Sequence, residues 1–244
     1  MRGLGLIILG VIVLPTAASA QAVTIDLGGE GALTLQVVQL FVLITVLSLA
    51  PGIAIMMTCF PFMVTVLSLL RQAIGVQQAP PNMMIVSLAL FLTYFVMAPV
   101  FERAWEEGLK PLTEGAVSAE DAFDNTMAPI REFMVRRVDP NTVDMLANAM
   151  PREQAQPSSP DAEPALELLI PAFLLSEIKR GFEVGFLVFL PFLIIDLVIA
   201  SILMAMGMMM VPPAIVSLPF KLAFFVLADG WSLLAGALVR GYAP

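Results

Sequence analysis

LQVVQLFVLITVLSLAPGIAIMMTCFPFMVTVLSLL, residues 35–70, contains no charged side chain. Such a run is too long for one membrane crossing, which takes about 20 apolar residues. It is cut by Pro51-Gly52 and again by Pro61. Each half, about 18 residues, sits near the lower limit for spanning a bilayer. One kinked span with a long extension fits this pattern, and so does a tight helical hairpin. Three further apolar blocks follow: Met83–Val100, closed by Pro99, Phe182–Met206 with Pro191 inside, and Ala214–Val239 with Pro219 inside. Proline within an apolar helix frees a backbone carbonyl that neighbouring helices or water must satisfy. Breaks in several blocks suggest a protein-lined pathway, although proline is also common in ordinary membrane helices. The pattern predicts an all-α membrane protein with Pro/Gly-broken helices.

Composition supports that class. Of 244 residues, 59% are hydrophobic and 13% charged, and the mean hydropathy is +0.92. A water-soluble domain carries about a quarter charged residues. There is no histidine, which removes His-based triads, the usual zinc sites and histidine proton shuttles. The single cysteine, Cys59, lies in an apolar run, so no disulfide framework or thiolate metal cluster forms within one chain. The net charge of −8 is concentrated between Phe101 and Glu183. No basic stripe suited to nucleic acid is present. Gly-rich phosphate loops, a nucleophile elbow and paired metal-ligand motifs are all missing, so neither enzymatic activity nor a cofactor is expected.

Met1-Arg2, the apolar run Leu4–Leu14, Pro15 and the small residues Ala18-Ser19-Ala20 read as a secretory leader with cleavage after Ala20. A retained first span is the alternative, but its apolar run falls short of the roughly 20 residues required. The chain then divides into residues 1–20 (cleavable signal), 21–100 (N-terminal helices), 101–165 (an acidic periplasmic segment) and 166–244 (a C-terminal helical region). Arg71–Pro81 reads as a turn, with Pro80-Pro81-Asn82 as a helix start. Glu120–Val138 reads as an amphipathic helix with a stripe of Phe123, Met127, Ile130 and Met134, widened by Phe133 and Val138 and stopped by Asp139-Pro140. Pro151–Pro164 is an exposed flexible linker by composition. With the mature N-terminus outside, Arg71 falls inside and the acidic segment returns to the periplasm, in line with the positive-inside tendency.

Four ionisable groups sit in or beside the apolar blocks: Glu177, Asp196, Lys221 and Asp229. Each costs about 2.5–3.5 kcal/mol at membrane depth and so calls for a partner or a water-filled cavity. Asp196 and Asp229 are read as buried charges. Lys221 is the only cation of its block, and Asp196 and Glu177 are its candidate carboxylates, in the same chain or in a neighbour. An ion pair that fixes packing is favoured over a proton relay, which strings several titratable groups along a path. The second feature is Met204-Ala205-Met206-Gly207-Met208-Met209-Met210-Val211-Pro212-Pro213. Gly207 and Pro212-Pro213 break the helix, so Met208, Met209 and Met210 fall in a loop. Methionine is long, unbranched and polarizable. A ring of such side chains, one set per subunit, would close a pore and still yield to a passing polypeptide. Lipid contact or gap filling is the plainer reading.

Pro171–Phe186 (PAFLLSEIKRGFEVGF) and Pro191–Ser201 (PFLIIDLVIAS) resemble a signature of the flagellar biosynthetic protein FliP family and its virulence-type secretion relatives. Ser217–Lys221 and Leu227–Trp231 continue the match, which covers most of Pro171–Trp231. Val184 stands where isoleucine or methionine is expected, and the 101–165 segment is less typical. The resemblance implies an export-gate subunit of a type III secretion apparatus. It implies membrane-associated helical hairpins that assemble as a homo-oligomer, expected to be a pentamer. FliQ and FliR proteins, other export-apparatus membrane subunits and proximal rod proteins would be its partners. Unfolded flagellar proteins would pass through the channel, in the inner membrane at the basal body and largely facing the periplasm. It further implies that Met208–Met210 form the pore gasket and that Glu177 and Lys221 pair between subunits. The leader favours the flagellar branch over an injectisome. An ion-coupled transporter would show inverted repeats, which the four blocks lack; a scaffold that nucleates rod assembly is a third reading.

Overall fold

A computed structural model of the chain describes residues 30–75, 81–149 and 164–242. The expected leader with cleavage after Ala20, and residues 151–163 of the expected linker, lie outside them. Among the described residues every regular element is a helix. They fall into two units, one ending at Ser48 and one starting at Leu49.

The first unit holds most of helix α1, Glu30–Met56. Its apolar side chains from Val37 onward are exposed, and its hydroxyls turn back on the backbone. Thr45 Oγ1 donates to the Phe41 carbonyl at 2.8 Å and Ser48 Oγ to the Thr45 carbonyl at 2.7 Å. A surface whose polar atoms are satisfied within the helix suits a hydrocarbon surrounding. Pro51-Gly52 does not break α1. The helix passes through both residues and ends at Met56, and the chain turns at Met57–Cys59. One proline removes a single helical hydrogen bond while the flanking turns keep theirs. At the actual turn Thr58 Oγ1 bonds the Ile55 carbonyl at 2.8 Å.

The second unit is built around α2, Phe60–Ile74, which starts with Pro61 in its first turn and ends at Gly75. Arg71 lies inside α2 rather than in a turn. Phe62, Met63, Val66, Leu67, Leu70 and Ala73 are buried, and their spacing marks the helical face that meets the core. Helix α3, Asn82–Ala104, returns antiparallel to α2; Arg71 bonds Asn82 at one end of this hairpin. Pro99 does not close α3, which continues into a π-helical turn, Trp105–Leu109, and the short α4, Lys110–Thr113. Helix α5, Ala119–Arg137, is capped by Ser118 Oγ on the Asp121 N–H and packs on the end of α3 and on the π turn. Its stripe buries Met134 and half-buries Met127, Ile130 and Phe133, but Phe123 is 61% exposed and lies outside the core. The helix α6, Pro140–Ala149, follows.

Helix α7, Leu166–Ala205, has 40 residues and carries Pro171 and Pro191 inside it. At 1.5 Å per residue it is about 60 Å long, roughly twice the hydrocarbon thickness of a bilayer. Its length thus exceeds what a single crossing needs. Glu167, Glu177, Lys179, Arg180 and Glu183 all lie in its N-terminal half. It crosses α2 closely at Gly181 and Gly185. A Cβ on Gly181 would lie 3.0 Å from Thr65 Cβ, and one on Gly185 3.1 Å from Leu69 Cβ. Small residues four apart let two helices approach in this way. After the turn 206–212 come α8, Pro213–Leu227, and α9, Gly230–Arg240. Pro219 lies inside α8. The break in this block falls instead at Ala228–Asp229, where α8 and α9 meet at 61°.

Among the described residues three helices can cross a membrane by length and composition, or four if α8 and α9 form one bent span. The chain is an all-α membrane protein.

Candidate functional site

Three groupings collect the residues singled out above. The first is the turn joining α7 to α8. Gly207 has φ +76, a left-handed conformation that glycine adopts without steric cost. Its N–H donates to the Met204 carbonyl at 3.0 Å, and the Met208 N–H to the Leu203 carbonyl at 2.9 Å. These two bonds form a Schellman cap, which satisfies the last carbonyls of α7 and sends the chain sharply away. Pro213 then opens α8 with its fixed φ and needs no hydrogen-bond partner for its nitrogen. Between these two fixed points Met209 and Met210 are 84% and 97% exposed. The turn thus presents flexible apolar side chains at the tip of a helical hairpin, with no covering group from the described residues.

The second grouping is centred on Lys221, 5% exposed on α8. Of the two candidate carboxylates, Asp196 on α7 is the one that meets it: Lys221 Nζ lies 2.6 Å from Asp196 Oδ2. Nζ also donates to the carbonyl of Ala73 at the end of α2, at 2.9 Å. The second carboxylate oxygen of Asp196 accepts from Ser217 Oγ at 2.5 Å. Three helices are thereby joined through one ammonium. Asp196 is only partly buried and Asp229 is exposed at the α8–α9 elbow, with φ 48. The lone buried charge of the pair is therefore the lysine. Ser217 was marked only as part of the signature run and the Ala73 carbonyl not at all, since neither a serine nor a backbone carbonyl is distinctive by itself as a partner of an ion pair.

Glu177 heads the third grouping and lies within α7, fully buried. Arg137 Nε and Arg180 Nη1 lie 3.4 and 3.6 Å from Oε1, and the Tyr242 hydroxyl donates to Oε2. Burial, with the Glu177 charge behind it, holds the Tyr242 phenol well above its ordinary value, so it stays protonated and donating. Arg137 also donates to the Gly241 carbonyl at 2.9 Å and stacks over the Tyr242 ring at 3.9 Å. Phe62 meets the same ring edge-on at 5.4 Å. Next to this cluster Lys179 pairs with Asp139 at 2.8 Å, and the Asp139 N–H donates to Ser176 Oγ at 3.0 Å. Within the chain Glu177 and Lys221 are held by different partners and are not brought together. Arg137 and Tyr242 went unmarked in the sequence because only tertiary folding brings residues so far apart onto one carboxylate.

Residues 43–238 match the FliP family. The chain is 53% identical over 231 residues to the flagellar biosynthetic protein FliP of Caulobacter vibrioides, covering 94% of this chain and 86% of that one. It is 49% identical over 213 residues to the protein of the same name from Rhizobium meliloti, with 87% and 86% covered. For the Bacillus subtilis protein of that name the identity is 45% over 205 residues, with 84% and 91% covered. The match takes in the ion pair, the methionine turn and the α7–α8 hairpin on which both are carried, and the chain belongs to the FliP family.

Proposed function

We propose that the chain is a core subunit of the flagellar type III protein-export gate. Several copies, expected to be five, assemble with FliQ and FliR proteins around a conduit for unfolded flagellar proteins, in the inner membrane at the basal body. Its role is to line and close that conduit, without catalysis. The carrying observation is the capped turn of Met208–Met210, which holds flexible apolar side chains out at the tip of a hairpin. Exposed apolar groups of this kind mark a contact surface. Thioethers contributed by several copies would pack into a soft seal that opens for a chain and shuts behind it. The relatives' name, flagellar biosynthetic protein, supports the flagellar setting. Asp196 and Lys221 form a satisfied pair with Ser217 and the Ala73 carbonyl, an arrangement suited to fixing helices rather than to relaying protons.

Replacing Met208, Met209 and Met210 together by alanine tests the seal. Cells carrying the variant should leak small ions through the assembled gate while still exporting flagellar subunits. Unchanged membrane permeability, with the gate assembled, would exclude the gasket role.

A further inference from the structure

A cavity of about 520 Å³ lies in the second unit between α7 on one side and α9 on the other. Its size falls in the roughly 300–1,000 Å³ range of ligand pockets. It is a slot rather than a sphere. The α7 wall runs from Arg180 to Phe192, about 18 Å at helical rise, and the α9 wall runs back from Gly241 to Gly230. The Phe192 end is shut by the Phe224 and Phe225 rings, 5.9 and 6.2 Å from it. At the other end stand Arg137 and Arg180, the charged side chains that line it. With Glu177 between them, two guanidiniums and one carboxylate leave a net positive charge. Arg137 is held by Glu177, the Gly241 carbonyl and the Tyr242 ring. Arg180 Nη1, by contrast, is buried and has no hydrogen-bond partner among the described residues.

The polarity of the slot follows that of α7. The cationic end coincides with the charged stretch Glu177–Arg180, and the apolar end with the block that begins at Phe182. A cation at one end of an apolar slot is complementary to an amphiphile with an anionic head. We infer that the slot binds one acyl chain of an anionic phospholipid, with its phosphate on Arg180. Basic pockets between membrane helices recognise such headgroups. The assignment is independent of the conduit reading, since it needs only a bilayer around the chain.

Full-length protein taken from vesicles of phosphatidylcholine and phosphatidylglycerol in equal amounts, then examined by native mass spectrometry in detergent, tests the site. Retained phosphatidylglycerol should exceed phosphatidylcholine about fivefold, the factor one surface cation supplies. Arg180→Gln should bring the two to equal retention. Ala237→Phe, which fills the slot from α9, should leave no bound lipid of either kind. Equal retention by the unaltered chain, a preference untouched by Arg180→Gln, or lipid still held by Ala237→Phe would each overturn the assignment. So would a photo-reactive residue at Leu233 that captures a second copy of the chain rather than a lipid. After Arg180→Gln the buried Glu177 still has Arg137 and the Tyr242 hydroxyl as partners, so this variant decides the question even if Ala237→Phe fails to accumulate.

Discussion

Lys221 holds its charge almost out of reach of solvent, and what keeps it there is a carboxylate one helix away. Removing one member of such a pair costs about 3–5 kcal/mol, whereas removing both is far milder. Asp196→Asn should therefore lower the unfolding midpoint of the purified chain sharply, and Asp196→Asn with Lys221→Met should recover most of the loss. An inter-subunit pairing of Lys221 with Glu177 would require both to leave their partners within the chain. It predicts the opposite ranking, with Glu177→Gln severe for assembly and rescued when the charges are exchanged as Lys221→Glu with Glu177→Lys. Measuring both variants for monomer stability and for oligomer yield separates the two. Cys59 makes such work simpler. It is fully buried, and burial pushes its thiol up to about 12, so thiol reagents should label the folded chain negligibly and the unfolded chain fully.

Among the elements, α7 is held to α2 by the absence of side chains at Gly181 and Gly185. Gly185→Leu drives a branched group into Leu69 and should cost about 1–3 kcal/mol by overpacking, read as a lower thermal midpoint. Gly185→Ala should be milder, because its closest clash, 2.2 Å, is with the movable Leu69 Cδ1. The α5–α6 arm is tied down by charge. Lys179 and then the Asn141 N–H hold the Asp139 carboxyl below its ordinary 3.8, and Arg103 and Arg136 hold Glu132 below 4.5. Because the folded values are depressed, these contacts act in full above the ordinary carboxylate range and are lost as pH falls through and below it. Between about pH 5 and pH 2, amide exchange across residues 139–149 should accelerate beyond the intrinsic rate. Lys179→Met should flatten that response. A pH-independent protection pattern would show that the salt bridges do not anchor the arm.

For the whole molecule, the exposed apolar surface along α1, α7 and α8 has to be covered by lipid or by other chains. If copies bring their methionine turns together around a conduit, Met209→Cys should form disulfide-linked dimers in membranes on mild oxidation. The buried Cys59 leaves a silent background for this. Cysteine placed at Phe123, exposed on α5, should not link. Absence of any Met209→Cys link in an assembled gate would mean that the turns do not converge.

Helix content, the apolar blocks and the methionine turn were legible in the sequence because they depend on local terms: side-chain transfer to lipid, the lost N–H of proline, the left-handed backbone at Gly207. Where prolines would end helices was not. Pro51, Pro99, Pro191 and Pro219 are each carried inside a helix, since one missing hydrogen bond is outweighed by the continuous turns on either side. The elbow at Asp229 went unread although a turn dipeptide, Asp229-Gly230, stands there: Asp229 takes the left-handed conformation, φ 48, and the Phe225 ring occupies the place a side chain on Gly230 would need. Charge partners were half legible. The sequence determined that Lys221 needs a carboxylate, because an unpaired ammonium at that depth is too costly. Only the tertiary structure decided that within the chain it is Asp196, and that within the chain Glu177 meets Arg137 and Tyr242, because pairing depends on which helix faces lie together and sequence separation carries no record of that.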